Sequence, residues 1–269
     1  MLHFTKMNGA GNDFVIVDNR DGKTALTGAQ IARLCDRHRG VGADGLLAIE
    51  PAQDGADFRM RYYNADGGEA EMCGNGARCF ARFAQKVTGQ HGNISFETQA
   101  GVITAKFLGD LVQIQMSAPH SLRLSQKLHA GGEVLFVHSI NTGVPHAVVF
   151  VDGLENTDVH DIGRALRYHE HFAPKGTNVN FVQQRAADTI AIRTYERGVE
   201  GETLACGTGM VACALIFHER TGAASPVNVQ VRGGDTLRIG FEKTAADYTN
   251  VTLTGPADFV FDGVCDSES

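Results

Sequence analysis

The chain has 269 residues, 43% of them hydrophobic and 20% charged, enough for two ordinary domains with a sizeable core. A formal net charge of -7 with few aromatics and no Trp excludes the basic stripe that nucleic acid or an anionic membrane surface requires, and favours a small neutral or zwitterionic ligand. The opening MLHFTKMNGAGNDF carries Lys6, Asn8, Asn12 and Asp13 where a secretory signal needs an apolar run, and no stretch of ~18 apolar residues follows, so a cytoplasmic protein with no membrane partner is expected.

In chain order, GAGNDFVIVD (9 to 18) reads as a turn and a strand. TGAQIARLCDRHRG predicts a helix with Thr27 as N-cap, an apolar stripe of Ile31, Leu34 and Cys35, and Gly40 as terminator. VGADGLLAIE and the alternating DFRMRYYN read as strands, and GNGARCFARFAQKVTG as a helix that starts in glycines and stops at Gly89. NISFETQAGVITAKF is strand, turn, strand, and LVQIQMS a further strand. Residues 117 to 140, beginning SAPHSLRLSQKLHAGGE, are polar and turn-rich and predict the join between domains.

The second half repeats the first. GVPHAVVFVD answers GAGNDFVIVD at an offset of 134, and KGTNVNFVQQ answers VGADGLLAIE at 134. IRTYE faces MRYYN at 132, setting Glu196 opposite Asn64, and Cys206 follows Cys73 by 133. VNVQVRGGDTLRIGF matches the first strand-turn-strand at 134, and VHDIGRALRYHEHF (159 to 172) takes the place of the first helix. GTGMVACALIFHERTG, ending at Gly222, is apolar almost all round from Met210 to Phe217 and belongs inside a core. The expected fold is therefore α/β: two similar domains, residues 1–117 and 118–269, related by a pseudo-twofold axis. Each is a strongly curved mixed sheet around one central helix, and the last strand of the chain is a candidate to pack on the first domain.

Both repeats place a cysteine just ahead of a glycine-rich helix start. There the positive end of the helix dipole and unpaired N–H groups favour thiolate over thiol. The N–H groups of Gly74 and Asn75, and of Gly207 and Thr208, can grip a carboxylate, because glycine lets a ligand approach the backbone. Cys73 and Cys206 on opposite faces of one carbon, in a cleft between the domains, can remove a proton from one side and deliver another to the opposite side. That is the chemistry of a two-base racemase or epimerase needing no cofactor, with the cradle stabilising charge on the α-carboxylate. Cys79 and Cys213 lie within the apolar helices and read as packing residues; Cys35 sits on a helix stripe and Cys265 in a polar tail. Six cysteines without a Cys-x-x-Cys pair give neither a disulfide framework nor a zinc site, and HEH at 169 to 171 lacks a third ligand, so no metal is expected.

NADGGEAEMCGNGARC, NTGVPHAV, GTNVNF and YERGVEGETLACGTG together resemble the diaminopimelate epimerases from KMNGAGNDF almost to the last strand. The resemblance implies two barrel-like domains each around a central helix, a homodimer, work without pyridoxal phosphate, and interconversion of LL- and meso-2,6-diaminopimelate on the route to lysine and peptidoglycan. It implies that Cys73 and Cys206 are the acid/base pair, with Cys206 accepting and Cys73 donating in the LL-to-meso direction. Gly74, Asn75, Gly207 and Thr208 would hold the reacting carboxylate, and Asn12, Asn64, Asn178, Glu196 and Arg197 the rest of the substrate. His146 would tune the thiols with Glu196. Taken singly, Asn12 and Asn64 are also ordinary turn residues, His146 an ordinary structural histidine, and Glu196 and Arg197 a solvated pair. Three positions depart from the family pattern: Gly68 in place of Ser, Val144 in place of Asn, and Gly45 in place of a Gln found in some members. A proline- or hydroxyproline-type racemase is the alternative enzyme, although those resemble MCGHG where Asn75 stands here. A thiol redox or metal-binding module is the alternative from another class.

Overall fold

The computed structural model describes residues 1–245 and 247–266. In chain order its elements are β1 (Leu2–Gly9), β2 (Asn12–Asp18), α1 (Gly28–Cys35), β3 (Gly45–Pro51), β4 (Phe58–Asn64), α2 (Gly74–Thr88), β5 (Ile94–Thr98), β6 (Gly101–Leu108) and β7 (Leu111–Gln115). Then follow β8 (His120–Ala130), β9 (Glu133–Asn141), β10 (Pro145–Phe150), α3 (Val159–Arg167), β11 (Asn178–Gln184), β12 (Thr189–Glu196) and β13 (Gly201–Thr203). The last are α4 (Gly207–Thr221), β14 (Val227–Gln230), β15 (Thr236–Lys243), β16 (Tyr248–Pro256) and β17 (Asp258–Cys265). Two compact units result: Met1–Gln115 with the segment from Gly255 onward, and Met116–Thr254.

In the first unit the strands run β17, β1, β2, β3, β4, β5, β6, β7, parallel only at β2–β3 and β4–β5. In the second they run β8, β9, β10, β11, β12, β14, β15, β16, parallel only at β10–β11 and β12–β14, with β13 added beside β12. The two orders are the same sheet built twice. The place held by β8 at the start of the second half is filled in the first unit by β17, from the far end of the chain.

The central strands β2, β3, β10 and β11 are covered on both faces, and this explains their unbroken apolar runs. In β2, Val15 and Val17 pack with Ile31 and Leu34 of α1, whereas Phe14 lies against Gly76 at the start of α2. In β10 and β11, Ala147, Val149, Val179 and Phe181 pack with Val159 and Leu166 of α3. Strand alternation then turns His146, Asn178 and Asn180 toward α4. That helix is buried from Gly209 to Phe217, and each fully buried Leu, Ile or Phe there contributes about 1.5–3 kcal/mol. Both central helices end on a glycine in the left-handed region, Gly89 at φ 66° and Gly222 at φ 73°.

Several expectations need correction. The first helix stops at Cys35 rather than Gly40, because the Asp36 carboxylate accepts the N–H groups of His38 (2.7 Å) and Arg39 (2.9 Å) and turns the chain. The third helix stops at Arg167, and residues 170–172 form a separate 3-10 turn. Residues 117–140 are no linker but the long hairpin β8–β9; β8 is largely exposed and broken by two register shifts, which hid its alternation. The units divide at 115/116 rather than 117/118, and the second ends at Thr254 rather than at 269, because the segment from Gly255 belongs to the first unit, for which the last strand is a candidate from the sequence.

Candidate active site

Cys73 and Cys206 are the N-caps of α2 and α4, in extended backbone (φ -135°, ψ 122° and φ -126°, ψ 111°). Their carbonyls accept the first helical bonds, from Ala77 at 2.7 Å and Met210 at 2.9 Å. The sulfurs differ. Cys73 Sγ accepts the Gly76 N–H at 3.5 Å, as a capping side chain does, whereas Cys206 Sγ lies 3.7 Å from Thr208 Oγ1. Close approach demands glycine on both sides. A Cβ on Gly9, at the end of β1, would stand 2.7 Å from Asn75 O and 3.0 Å from Cys79 Sγ. One on Gly209 would stand 2.5 Å from Asn180 Oδ1 and 3.3 Å from Cys206 Sγ.

Behind Cys206 is a chain of polar side chains. His146, 1% exposed, sets Nε2 2.9 Å from Thr208 Oγ1 and Nδ1 3.1 Å from Asn180 Nδ2. Burial, helped by the Arg197 charge, takes its pKa down to about 3, so the ring is neutral. Glu196 accepts from Thr203 Oγ1 at 2.9 Å, and desolvation raises its pKa. Asn178 spends its amide on the backbone, accepting from Arg197 N (2.9 Å) and donating to Pro145 O (3.1 Å); it pins the Glu196–Arg197 turn to β10. The Arg197 guanidinium reaches Lys175 O at 3.4 Å.

Near Cys73 the chain is built from amides and carboxylates. Asn12 Nδ2 donates to Asp44 Oδ2 at 3.0 Å, and Asn12 Oδ1 accepts from Asn75 Nδ2 at 2.6 Å. A carboxylate only accepts, so Asp44 fixes both amides in one sense. Asn75 Oδ1 is left buried and without a hydrogen-bond partner among the described residues. Arg37 bridges Asp44 and Asp13, and Lys6 pairs with Asp13 at 2.8 Å and donates to Gly42 O. Burial alone would raise the Asp13 pKa, but Arg37 and Lys6 hold it at about 2. Asn64 is exposed at the end of β4, its backbone closed into a turn with Gly67 and Gly68.

The remaining thiols are packing groups. Burial pushes Cys35 up to about 11, Cys79 up to about 12 and Cys213 well above its ordinary value, and it raises Cys265. His171 bonds Gln126 at 2.8 Å and His169 accepts the His171 N–H, so HEH is a turn held by its own rings.

The family model of the diaminopimelate epimerases matches residues 4–121 and 138–260, which include both cysteine-capped helix starts. The chain belongs to the diaminopimelate epimerase family. A diaminopimelate epimerase of Aquifex aeolicus (strain VF5) is 46% identical over 275 residues, 97% of each chain. One of Hydrogenobaculum sp. (strain Y04AAS1) is 44% identical over 277 residues, 98% of each. Among solved structures, a hydroxyproline epimerase from Agrobacterium vitis has a TM-score of 0.73 at 15% identity, covering 97% of this chain and 91% of that one. A Bacillus anthracis phenazine biosynthesis protein of the PhzF family has a TM-score of 0.71 at 16%, covering 98% of both. At such identities only the fold is shared, and neither alternative reading gains from it.

Within the diaminopimelate epimerase family the departure at Gly45 has a steric explanation. A Cβ there would meet Tyr63 O at 2.5 Å and Tyr62 Cε2 at 2.8 Å, so the Tyr62 ring takes the space that a Gln stem needs. Gly68 donates its N–H to Asp66 Oδ1 at 2.8 Å, and Val144 O accepts from Thr142 at 3.2 Å. Sequence reasoning missed Asp44, Thr194 and Asn180. For Asn180 a signal existed: in NVNF, Asn178 and Asn180 occupy alternate positions and so share one face of an otherwise apolar strand.

Proposed function

We propose that the chain interconverts LL- and meso-2,6-diaminopimelate by proton exchange between two thiols at one α-carbon. Cys206 accepts and Cys73 donates in the LL-to-meso direction. The observation that carries this reading is that one helix start, with cysteine as its N-cap and glycines behind it, is built twice in units of the same topology.

In this reading the two helix starts supply their thiols to opposite faces of a single carbon. The N–H groups of Gly74, Asn75, Gly207 and Thr208 hold the reacting carboxylate and offset the charge that develops as the proton leaves, work that needs no cofactor. Glu196 receives an ammonium group. Arg197 forks onto the distal carboxylate, assisted by Asn12 and Asn64, while Asn178 acts by holding the Arg197 backbone. His146 tunes Cys206 through Thr208. The working form is a cytoplasmic homodimer supplying a precursor of lysine and peptidoglycan; sedimentation of the purified protein checks the dimer.

The test is Cα deuterium uptake in D2O with diaminopimelate and, separately, with proline. Exchange with diaminopimelate that is lost in both Cys73→Ser and Cys206→Ser supports the reading. Exchange with proline alone, or full turnover in either variant, overturns it.

A further inference from the structure

The chain behind Cys206 has a direction, and Asn180 sets it. Asn180 is fully buried on β11. Its Nδ2 donates to Ala147 O at 3.0 Å and faces His146 Nδ1 at 3.1 Å, while its Oδ1 accepts from Thr194 Oγ1 at 3.0 Å. A carbonyl only accepts, so turning the amide over would set Oδ1 against Ala147 O. The amide therefore delivers a hydrogen to His146 Nδ1, which must offer its lone pair. A neutral imidazole carries one proton, and that proton is then on Nε2, 2.9 Å from Thr208 Oγ1. Once this oxygen accepts from the ring, its own hydrogen can turn to Cys206 Sγ at 3.7 Å. The bond from Thr142 Oγ1 to Thr208 O, 2.9 Å, holds the helix start in place for it.

We propose that Asn180 is a positioning residue that locks His146 as its Nε2–H tautomer, making the Thr208 hydroxyl a one-way donor that stabilises the Cys206 thiolate. No proton travels along this chain; hydrogen bonds are only aligned. Burial supports it by keeping the ring neutral, as a protonated Nδ1 would oppose the Asn180 amide. Other ionisable groups of the same unit in this region are Arg197, whose charge also disfavours a cationic His146, Cys213, which senses Cys206, and Glu196 at the end of β12. At the Cys73 helix start the arrangement differs: Asn75 stands where Thr208 does, and its Nδ2 is committed to Asn12. Gly209 belongs to the device, since a Cβ there would strike Asn180 Oδ1.

The inference deepens the two-thiol reading, but its test needs no substrate. In the substrate-free protein with labelled histidine and cysteine, 15N shifts report the His146 tautomer and a 13Cβ titration reports Cys206 ionisation. The native protein is expected to show Nε2–H. Asn180→Asp offers Nδ1 an acceptor in place of a donor and is expected to move the proton to Nδ1. It should also raise the Cys206 pKa by about one unit, a tenfold smaller thiolate population at a given pH. Thr208→Val should raise that pKa equally with the tautomer unchanged, and Thr208→Ser should restore it. An Nδ1–H ring in the native protein, or a Cys206 titration unmoved in Thr208→Val, overturns the proposal; the Thr208 pair suffices if Asn180→Asp does not fold. Failure of the D2O exchange assay with these spectra intact would overturn the proposed function alone.

Discussion

Two asparagines on one strand face divide their work. Asn178 holds backbone and Asn180 holds a ring, a distinction that turns on which atoms stand within hydrogen-bond reach and not on residue type. The same holds near Cys73, where the carboxylate of Asp44 sets the sense of the Asn12 and Asn75 amides. Asp44→Asn removes that constraint, and the expected outcome is a KM for diaminopimelate raised severalfold, about 1 kcal/mol of binding, with kcat little changed in steady-state assays. Arg197→Lys loses the planar fork. Calorimetric titration with diaminopimelate is expected to show affinity weakened ten- to hundredfold, roughly 1.5–3 kcal/mol; unchanged affinity would take Arg197 out of the substrate site.

Among the elements, those with strong local signals were legible from sequence. Thr27 caps α1 as expected, and Gln30 completes a capping box by accepting the Thr27 N–H at 2.9 Å. Thr27→Ala should cost about 1 kcal/mol in urea denaturation and leave turnover alone. Gly209→Ala is expected to do the reverse, disturbing Asn180 and Cys206 together, so that turnover falls by more than the loss of stability explains. What was illegible lies in β8 and β17. β8 is polar because most of it meets water, and its positive-φ residues Ser121 and Ser125 interrupt the period of two. β17 is a candidate for the first domain from the sequence but has no readable strand partner or register, since pairing across 263 residues, as of Leu2 with Cys265, leaves no trace in local spacing. It covers Phe4, toward which Gly263 turns its bare face. A chain ending before Asp258 leaves β1 as an open edge and is expected to aggregate or lose near-UV dichroism.

For the whole molecule, buried histidines make stability depend on pH. His146 and His138 have folded pKa values taken down to about 3 and about 4 by burial, against the ordinary 6.5 of an unfolded chain. Between these limits the unfolded state binds more protons, so stability falls as pH drops below 6.5, by up to about 2 kcal/mol for the fully buried His146 by pH 5 and by less for His138, whose ring is better screened by solvent. Asp13, lowered to about 2 against 3.8, extends the loss at still lower pH. Glu196, whose pKa is raised, has the opposite sign and offsets part of the fall above 4.5. Denaturation at pH 7 and pH 5 is expected to show a lower midpoint at pH 5, with a smaller difference in His138→Gln. A flat profile would contradict the neutral, buried state of these rings.

The sequence by itself determined the duplication, the four helices, both cysteine-capped helix starts and the family, because these rest on local chemistry: caps, glycines, apolar periods and motif order. Only the tertiary structure decided that the chain's last strand completes its first sheet, that 117–140 is a hairpin, and which lone pair and which hydrogen each amide presents at the helix starts. The physical reason is that hydrogen-bond direction is a property of a closed network. Asn180 is donor to His146 only because Ala147 O and Thr194 Oγ1 stand on its other sides, and no spacing along the chain encodes that.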